Sequence, residues 1–120
     1  MKSLLIATLL ATLSLTAQAS ERPAHFKGAE ISSAQQALSV LQEQNSKLAA
    51  LLAGELNPTS MTEIHQLTYT LENALAKLPA ASDEIKEVLE EVHQGSETMD
   101  YQRVKDNGAY YLQLAKALLK

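Results

Sequence analysis

MTEIHQLTYTLENALAKL, residues 61–78, has the clearest helical period in this chain of 120 residues. Ser60 and Glu63 stand at the spacing of a capping box, so we expect the helix to begin at Met61, and Pro79 ends the pattern. Apolar residues recur at spacings of three and four, which is typical of an amphipathic helix with one buried face. These residues are Ile64, Leu67, Leu71, Ala74, Leu75 and Leu78.

A similar period predicts a helix upstream, from near Ser33 to Gly54, a residue that suits a helix C-terminus. Its apolar residues form a heptad-like seam. The members of the seam are Ala34, Leu38, Leu41, Asn45, Leu48 and Leu52. Asn45 is polar, and we interpret it as a residue that fixes the register with a neighbouring helix rather than as a ligand.

Two helical segments follow Pro79. Ser82 is a suitable N-cap for the first, and its acidic run is interpreted as a solvated helix face. The run consists of Asp83, Glu84, Glu87, Glu90 and Glu91. Asp100 is a suitable N-cap for the last segment, in which Gly108 is expected to let a neighbouring element approach closely.

The sequence therefore predicts an all-α fold, with residues 33–120 forming an up-and-down helical bundle of three to four helices, depending on whether the last two merge. We expect a monomer or a weak dimer. The predicted core consists of Leu38, Leu41, Leu48, Ile64, Leu67, Leu71, Val88, Val92, Val104 and Leu118.

Residues 1–19 are typical of a secretory signal peptide, with a positive start, a short apolar run and the cleavage pattern Ala17-Gln18-Ala19. We expect cleavage after Ala19 and a soluble periplasmic product without a membrane anchor. Residues 20–32 are expected to form an extended N-terminal arm. Docking of Phe26 on the bundle is favoured there over a ligand site formed with His25.

The composition excludes several classes of function. The chain has no cysteine, which removes disulfides, thiolate catalysis and cysteine-based zinc sites. Its net charge is −4 and it has no basic patch, so nucleic-acid binding is not expected. It also lacks the recognised catalytic motifs, so we expect a protein that is not an enzyme and has no dedicated cofactor.

Four stretches of the chain resemble a family of small exported proteins of Gram-negative bacteria that is classed as a domain of unknown function. They are residues 25–28 (HFKG), 64–75 (IHQLTYTLENAL), 88–93 (VLEEVH) and 108–112 (GAYYL). The resemblance implies a periplasmic helical protein and brings no assigned activity. A weaker likeness, to the four-helix haem bundle of small periplasmic b-type cytochromes, concerns architecture alone. Residues 33–53 have no Met and residues 101–120 have no His to supply that family's haem ligands.

Two functions remain open. In the first, His65, Tyr69 and Glu72 project to one side of the predicted central helix and bind a small ligand or a periplasmic protein. Tyr69 is expected to be exposed there, and Tyr101 or Tyr110 could extend the surface. A cluster that only orders the helix surface is the structural alternative.

The second function is that of a weak copper or haem carrier. In an antiparallel bundle, the start of the central helix and the end of the next helix lie together, which brings His65 towards His93. Met61 and Met99 are expected near the same end. Imidazole and thioether are ligand types that favour copper. A chance grouping of histidines is the alternative.

Overall fold

The computed structural model describes residues 27–120 and shows four helices in this part of the chain. They are α1 (Ala34–Ala53), α2 (Pro58–Ala76), α3 (Asp83–Glu97) and α4 (Tyr101–Leu118). Each helix packs on the next, and α1 also packs on α4, so the helices close into an up-and-down bundle. The all-α prediction is confirmed. No helix among the described residues is long and apolar enough to cross a bilayer.

The predicted signal peptide, the cleavage site after Ala19, and the residues His25 and Phe26 lie outside the described part of the chain. From Lys27 to Ser32 the arm forms neither helix nor strand, and it lies against α2. The Ala29 amide donates a hydrogen bond of 3.1 Å to Oγ1 of Thr70. Asn73 donates from Nδ2 to the carbonyl oxygens of Lys27 and Ala29, at 2.9 and 3.1 Å. These three bonds attach the arm to α2.

The start of α2 differs from the prediction. Asn57, rather than Ser60, is the N-cap, and its side chain accepts a hydrogen bond of 2.9 Å from the Ser60 amide. Ser60 returns the contact, because its Oγ accepts from the Asn57 amide at 2.9 Å. Pro58 occupies the first turn, where the fixed φ of proline favours a helix. The predicted Ser60–Glu63 capping box is therefore wrong by one turn, and α2 ends at Ala76 rather than Leu78.

The third and fourth helices are separate. Met99 has a φ of 56°, which interrupts the helical path. Asp100 then caps α4 as predicted, with Oδ1 accepting from the Arg103 amide at 3.1 Å. Gly95 lies within α3 and is buried, and the helix continues past it to Glu97.

Seven of the ten predicted core residues are buried, and Leu67 and Leu118 pack at the edge of the core. The seven are Leu41, Leu48, Ile64, Leu71, Val88, Val92 and Val104. Leu38 is 39% exposed, so its assignment to the core is wrong. Ala37 is fully buried instead, because a helix of 3.6 residues per turn drifts away from a strict heptad seam.

Gly108 allows the close approach that its mid-helix position predicts. A Cβ built at this residue of α4 would lie 2.6 Å from Cδ1 of Leu52 in α1. Such a distance is shorter than any normal carbon contact, so the missing side chain makes room for Leu52. The glycine thus sets how closely α1 and α4 pack.

Candidate functional site

His65 of α2 and His93 of α3 lie side by side between their helices. Their ring centroids are 4.8 Å apart and the rings meet edge to face, with an interplanar angle of 62°. Both residues are half-buried. The predicted meeting of these two histidines is confirmed, and it follows from the antiparallel packing of α2 on α3.

Tyr69 completes a triangle of three rings with the histidines. Its ring centroid lies 5.1 Å from that of His65 and 4.9 Å from that of His93, and both contacts are edge to face. Tyr69 is half-buried rather than exposed, which corrects the expectation for this residue. One turn of α2 separates it from His65, so helical geometry places the two rings together. The tyrosine ring therefore packs against both imidazoles.

Glu97 adds a carboxylate to the histidine pair. One ligand atom from each of His65, His93 and Glu97 can be chosen so that all lie within 4.8 Å of one another. Glu97 is exposed at the end of α3, one helical turn after His93. The sequence pattern did not single out this residue, because it follows a long acidic run. Its four-residue spacing from His93 was the available signal.

Two polar side chains of α2 contact the Nδ1 atom of His93. Oγ1 of Thr68 lies 2.9 Å from this nitrogen and Oε1 of Glu72 lies 3.3 Å from it. Burial raises the pKa of the Glu72 carboxyl, and the nearby His93 opposes this rise. Glu72 therefore belongs to the histidine cluster, as the sequence indicated, and it contacts the Nδ1 side of the His93 ring.

The two methionines occupy different environments. Met61 is fully buried in the hydrophobic core. Met99 is 44% exposed in the turn between α3 and α4. Their role as metal ligands stays a prediction, whereas Glu97 is the third donor that the geometry brings to the histidines.

The cluster fits a metal ion better than it fits haem. Haem ligated by both histidines needs the flat macrocycle between the two rings, but the rings of His65 and His93 are in edge contact. A metal ion needs only small movements. Ligand atoms bonded at about 2.0–2.2 Å cannot be more than about 4.4 Å apart, which is slightly less than the 4.8 Å limit of the cluster. The exposed side chain of Glu97 can close this difference.

Comparison with known protein families gives a match. The sequence profile of the Family of unknown function (DUF6746) matches residues 1–120. The chain belongs to DUF6746. This membership confirms the expected relation to a family of unknown function, and it assigns no role to any residue of the site. No significantly similar curated protein or solved structure was found. In this DUF6746 protein, the geometry around His65 and His93 is the feature that points to a function.

Proposed function

We propose that this protein is a non-catalytic binding protein whose ligand is a divalent transition-metal ion held by His65, His93 and Glu97. The observation that supports the proposal is the convergence of two imidazoles and one carboxylate from two helices on one small volume. Residues far apart in the sequence meet there, so the cluster depends on the fold and is not a local helix pattern.

The donor set favours Cu²⁺ or Zn²⁺. Imidazole nitrogen suits both ions, and a carboxylate oxygen is a common additional ligand. A third ligand from Glu97 instead of a thioether shifts the expected copper state from Cu⁺ to Cu²⁺, because soft sulfur ligands select Cu⁺. Three protein ligands leave at least one coordination position for water or for an exchange partner.

Reversible carriage fits such an open site better than permanent storage. His65 and His93 are half-buried and Glu97 is exposed, so an ion can enter without unfolding the bundle. The signal-peptide pattern in residues 1–19 supports a periplasmic setting for this role. The chain has no recognised catalytic motif, which supports binding rather than an enzymatic reaction.

Calorimetric titration of the purified, chelator-treated protein with Cu²⁺ and with Zn²⁺ tests the proposal. We expect one ion per chain, and we expect the double variant His65→Ala/His93→Ala to lose the binding. Glu97→Gln should weaken it. Glu87→Gln is the matched control, because Glu87 is an exposed carboxylate of the same helix. Equal affinity in the wild type and the double variant would remove this site from consideration.

A protein partner is the second candidate function, and exposed aromatic residues favour it. Tyr101 and Tyr110 of α4 are 40% and 41% exposed, and Tyr110 donates a hydrogen bond to Glu84 of α3. Tyrosine is enriched in protein interfaces. Cross-linking in periplasm, with the wild type and with Tyr101→Ser/Tyr110→Ser, tests this candidate. A partner captured only by the wild type supports it, and identical cross-links from both proteins count against it.

A further inference from the structure

The hydroxyl group of Thr68 lies between a backbone carbonyl of α2 and a ring nitrogen of His93. Thr68 is fully buried on α2, and its Oγ1 lies 2.6 Å from the carbonyl oxygen of His65. A carbonyl oxygen can only accept, so the single hydroxyl hydrogen is used in this bond. Oγ1 also lies 2.9 Å from Nδ1 of His93. Because Oγ1 has no second hydrogen to donate, it must accept there, and Nδ1 must be the donor.

The second neighbour of the same nitrogen leads to the same assignment. Oε1 of Glu72 lies 3.3 Å from Nδ1 of His93. A carboxylate oxygen next to a bare nitrogen lone pair would be repelled, whereas next to an N–H group it is attracted. Two acceptors on one helix thus face one N–H group on the next. The neutral imidazole of His93 then has its lone pair on Nε2.

We propose that Thr68 and Glu72 are positioning residues that hold His93 as the Nδ1–H tautomer and so present Nε2 as its metal-binding nitrogen. The part of this inference that concerns metal rests on the proposed function. Histidines that bind metal ions generally donate their other ring N–H to a carboxylate, a carbonyl or water, which orients the ring. The proposed site has this arrangement, because Glu72 accepts from Nδ1–H of His93 and Nε2 of His93 binds the ion.

Thr68 also connects the two histidine ligands. Its hydroxyl donates to the backbone of His65 and accepts from the ring of His93, so one side chain bridges both ligand-bearing helices. Valine has nearly the same shape and would pack equally well at a fully buried position. The hydroxyl is the part of Thr68 that links the ring of His93 to α2.

Nitrogen-15 NMR of the apo protein tests the tautomer without any metal. Long-range correlations from the ring carbons distinguish the protonated nitrogen from the bare nitrogen when the imidazole is neutral. We expect the Nδ1–H form of His93 in the wild type. We expect Thr68→Val/Glu72→Leu to shift the population towards Nε2–H, and Thr68→Ser alone to keep the wild-type form, because serine retains the hydroxyl.

The same variants are then titrated with Zn²⁺. We expect Thr68→Val/Glu72→Leu to bind about 10–100-fold more weakly, which is the usual effect of removing such supporting groups, and Thr68→Ser to stay near the wild type. Thr62→Val is the matched control for the hydroxyl. Thr62 is an exposed threonine of α2 whose hydroxyl bonds a carbonyl of its own helix, that of Pro58.

The outcomes separate this inference from the proposed function. An Nε2–H form of His93 in the wild type would overturn the inference, whether or not zinc binds. An unchanged zinc affinity in Thr68→Val/Glu72→Leu would also overturn it. The expected tautomer in a protein that binds no ion would support the role of Thr68 in orienting His93, and it would contradict the proposed metal function instead.

Discussion

Tyr111 of α4 donates a hydrogen bond of 2.7 Å from its hydroxyl to Oδ1 of Asn45 in α1, inside the core of the bundle. Tyr111 is fully buried and Asn45 is 8% exposed. Burial raises the pKa of the Tyr111 hydroxyl well above its ordinary value. The polar residue that interrupts the apolar seam of α1 is thus explained, because it receives the polar end of a buried tyrosine.

The first prediction concerns this pair. Asn45→Ala leaves the buried hydroxyl of Tyr111 without its acceptor, so we expect a loss of about 1–3 kcal/mol in the free energy of unfolding. Asn45→Leu/Tyr111→Phe removes both polar groups and should be much closer to the wild type. Urea denaturation of the three proteins measures the difference. A double variant as unstable as Asn45→Ala would show that packing, and not the unpaired hydroxyl, causes the loss.

The second prediction compares two leucines. Leu71 of α2 is fully buried, so Leu71→Ala should reduce the free energy of unfolding by about 2–5 kcal/mol. Leu38 is 39% exposed on α1, and Leu38→Ala should change it by only about 0.5 kcal/mol. The midpoint of urea unfolding, measured for both variants, compares the two losses. Similar losses for both substitutions would contradict the observed face of α1.

The predicted start of α2 and the predicted buried face of α1 were wrong because two local rules competed at each place. At the start of α2, Ser60 with Glu63 and Asn57 with Ser60 are both plausible caps. The second pair is used, because Pro58 is best placed in the first turn of a helix. On α1, the period predicted a buried stripe, but the small residue Ala37 lies in the core where the heptad placed Leu38. The sizes of Ala37 and Leu38 do not show which of the two side chains faces the core.

The site was predictable in part. The meeting of His65 with His93 follows from helix order and short turns, and both could be read from the sequence. Glu97 and Thr68 were missed for different reasons. Glu97 is one of many acidic residues, and Thr68 stands among residues of a buried face. Only the packing of α2 on α3 shows that the Thr68 hydroxyl reaches His93.

The third prediction concerns the attachment of the arm. Gly28 has a φ of +74°, and a Cβ there would lie 2.8 Å from backbone atoms of Tyr69 and Thr70. Gly28→Ala is therefore strained and clashes with the α2 backbone, which cannot move aside. We expect the amide of Ala29, which donates to Thr70, to lose its protection in hydrogen exchange.

Gly54→Ala is the control for this substitution. Gly54 has a φ of −87°, and a Cβ there would meet no atom closer than 3.7 Å. We expect it to leave the exchange of the Ala29 amide unchanged. Continued protection of that amide in Gly28→Ala would mean that the three hydrogen bonds to Thr70 and Asn73 hold the arm without the glycine.

The fourth prediction is cleavage after Ala19, which is motivated by the small residues at positions 17 and 19 behind the apolar run. The mass of the exported protein should correspond to a chain that begins at Ser20. Ala19→Leu places a large residue at the cleavage position and should slow processing. Recovery of protein that still begins at Met1 would contradict export by this route.

The fifth prediction links metal binding to the stability of the fold. An ion held by His65 of α2 and His93 of α3 joins two helices and binds the folded state alone, so it must stabilise that state. Zinc at about 100 times its dissociation constant should add about 2.7 kcal/mol to the free energy of unfolding. Thermal unfolding with and without zinc measures the gain, and His65→Ala/His93→Ala should show none. An equal gain in the double variant would mean that zinc binds elsewhere on the protein. If zinc leaves the thermal stability of the wild type unchanged at any concentration, the three converging donors are a structural cluster stabilised by Tyr69 rather than a metal site.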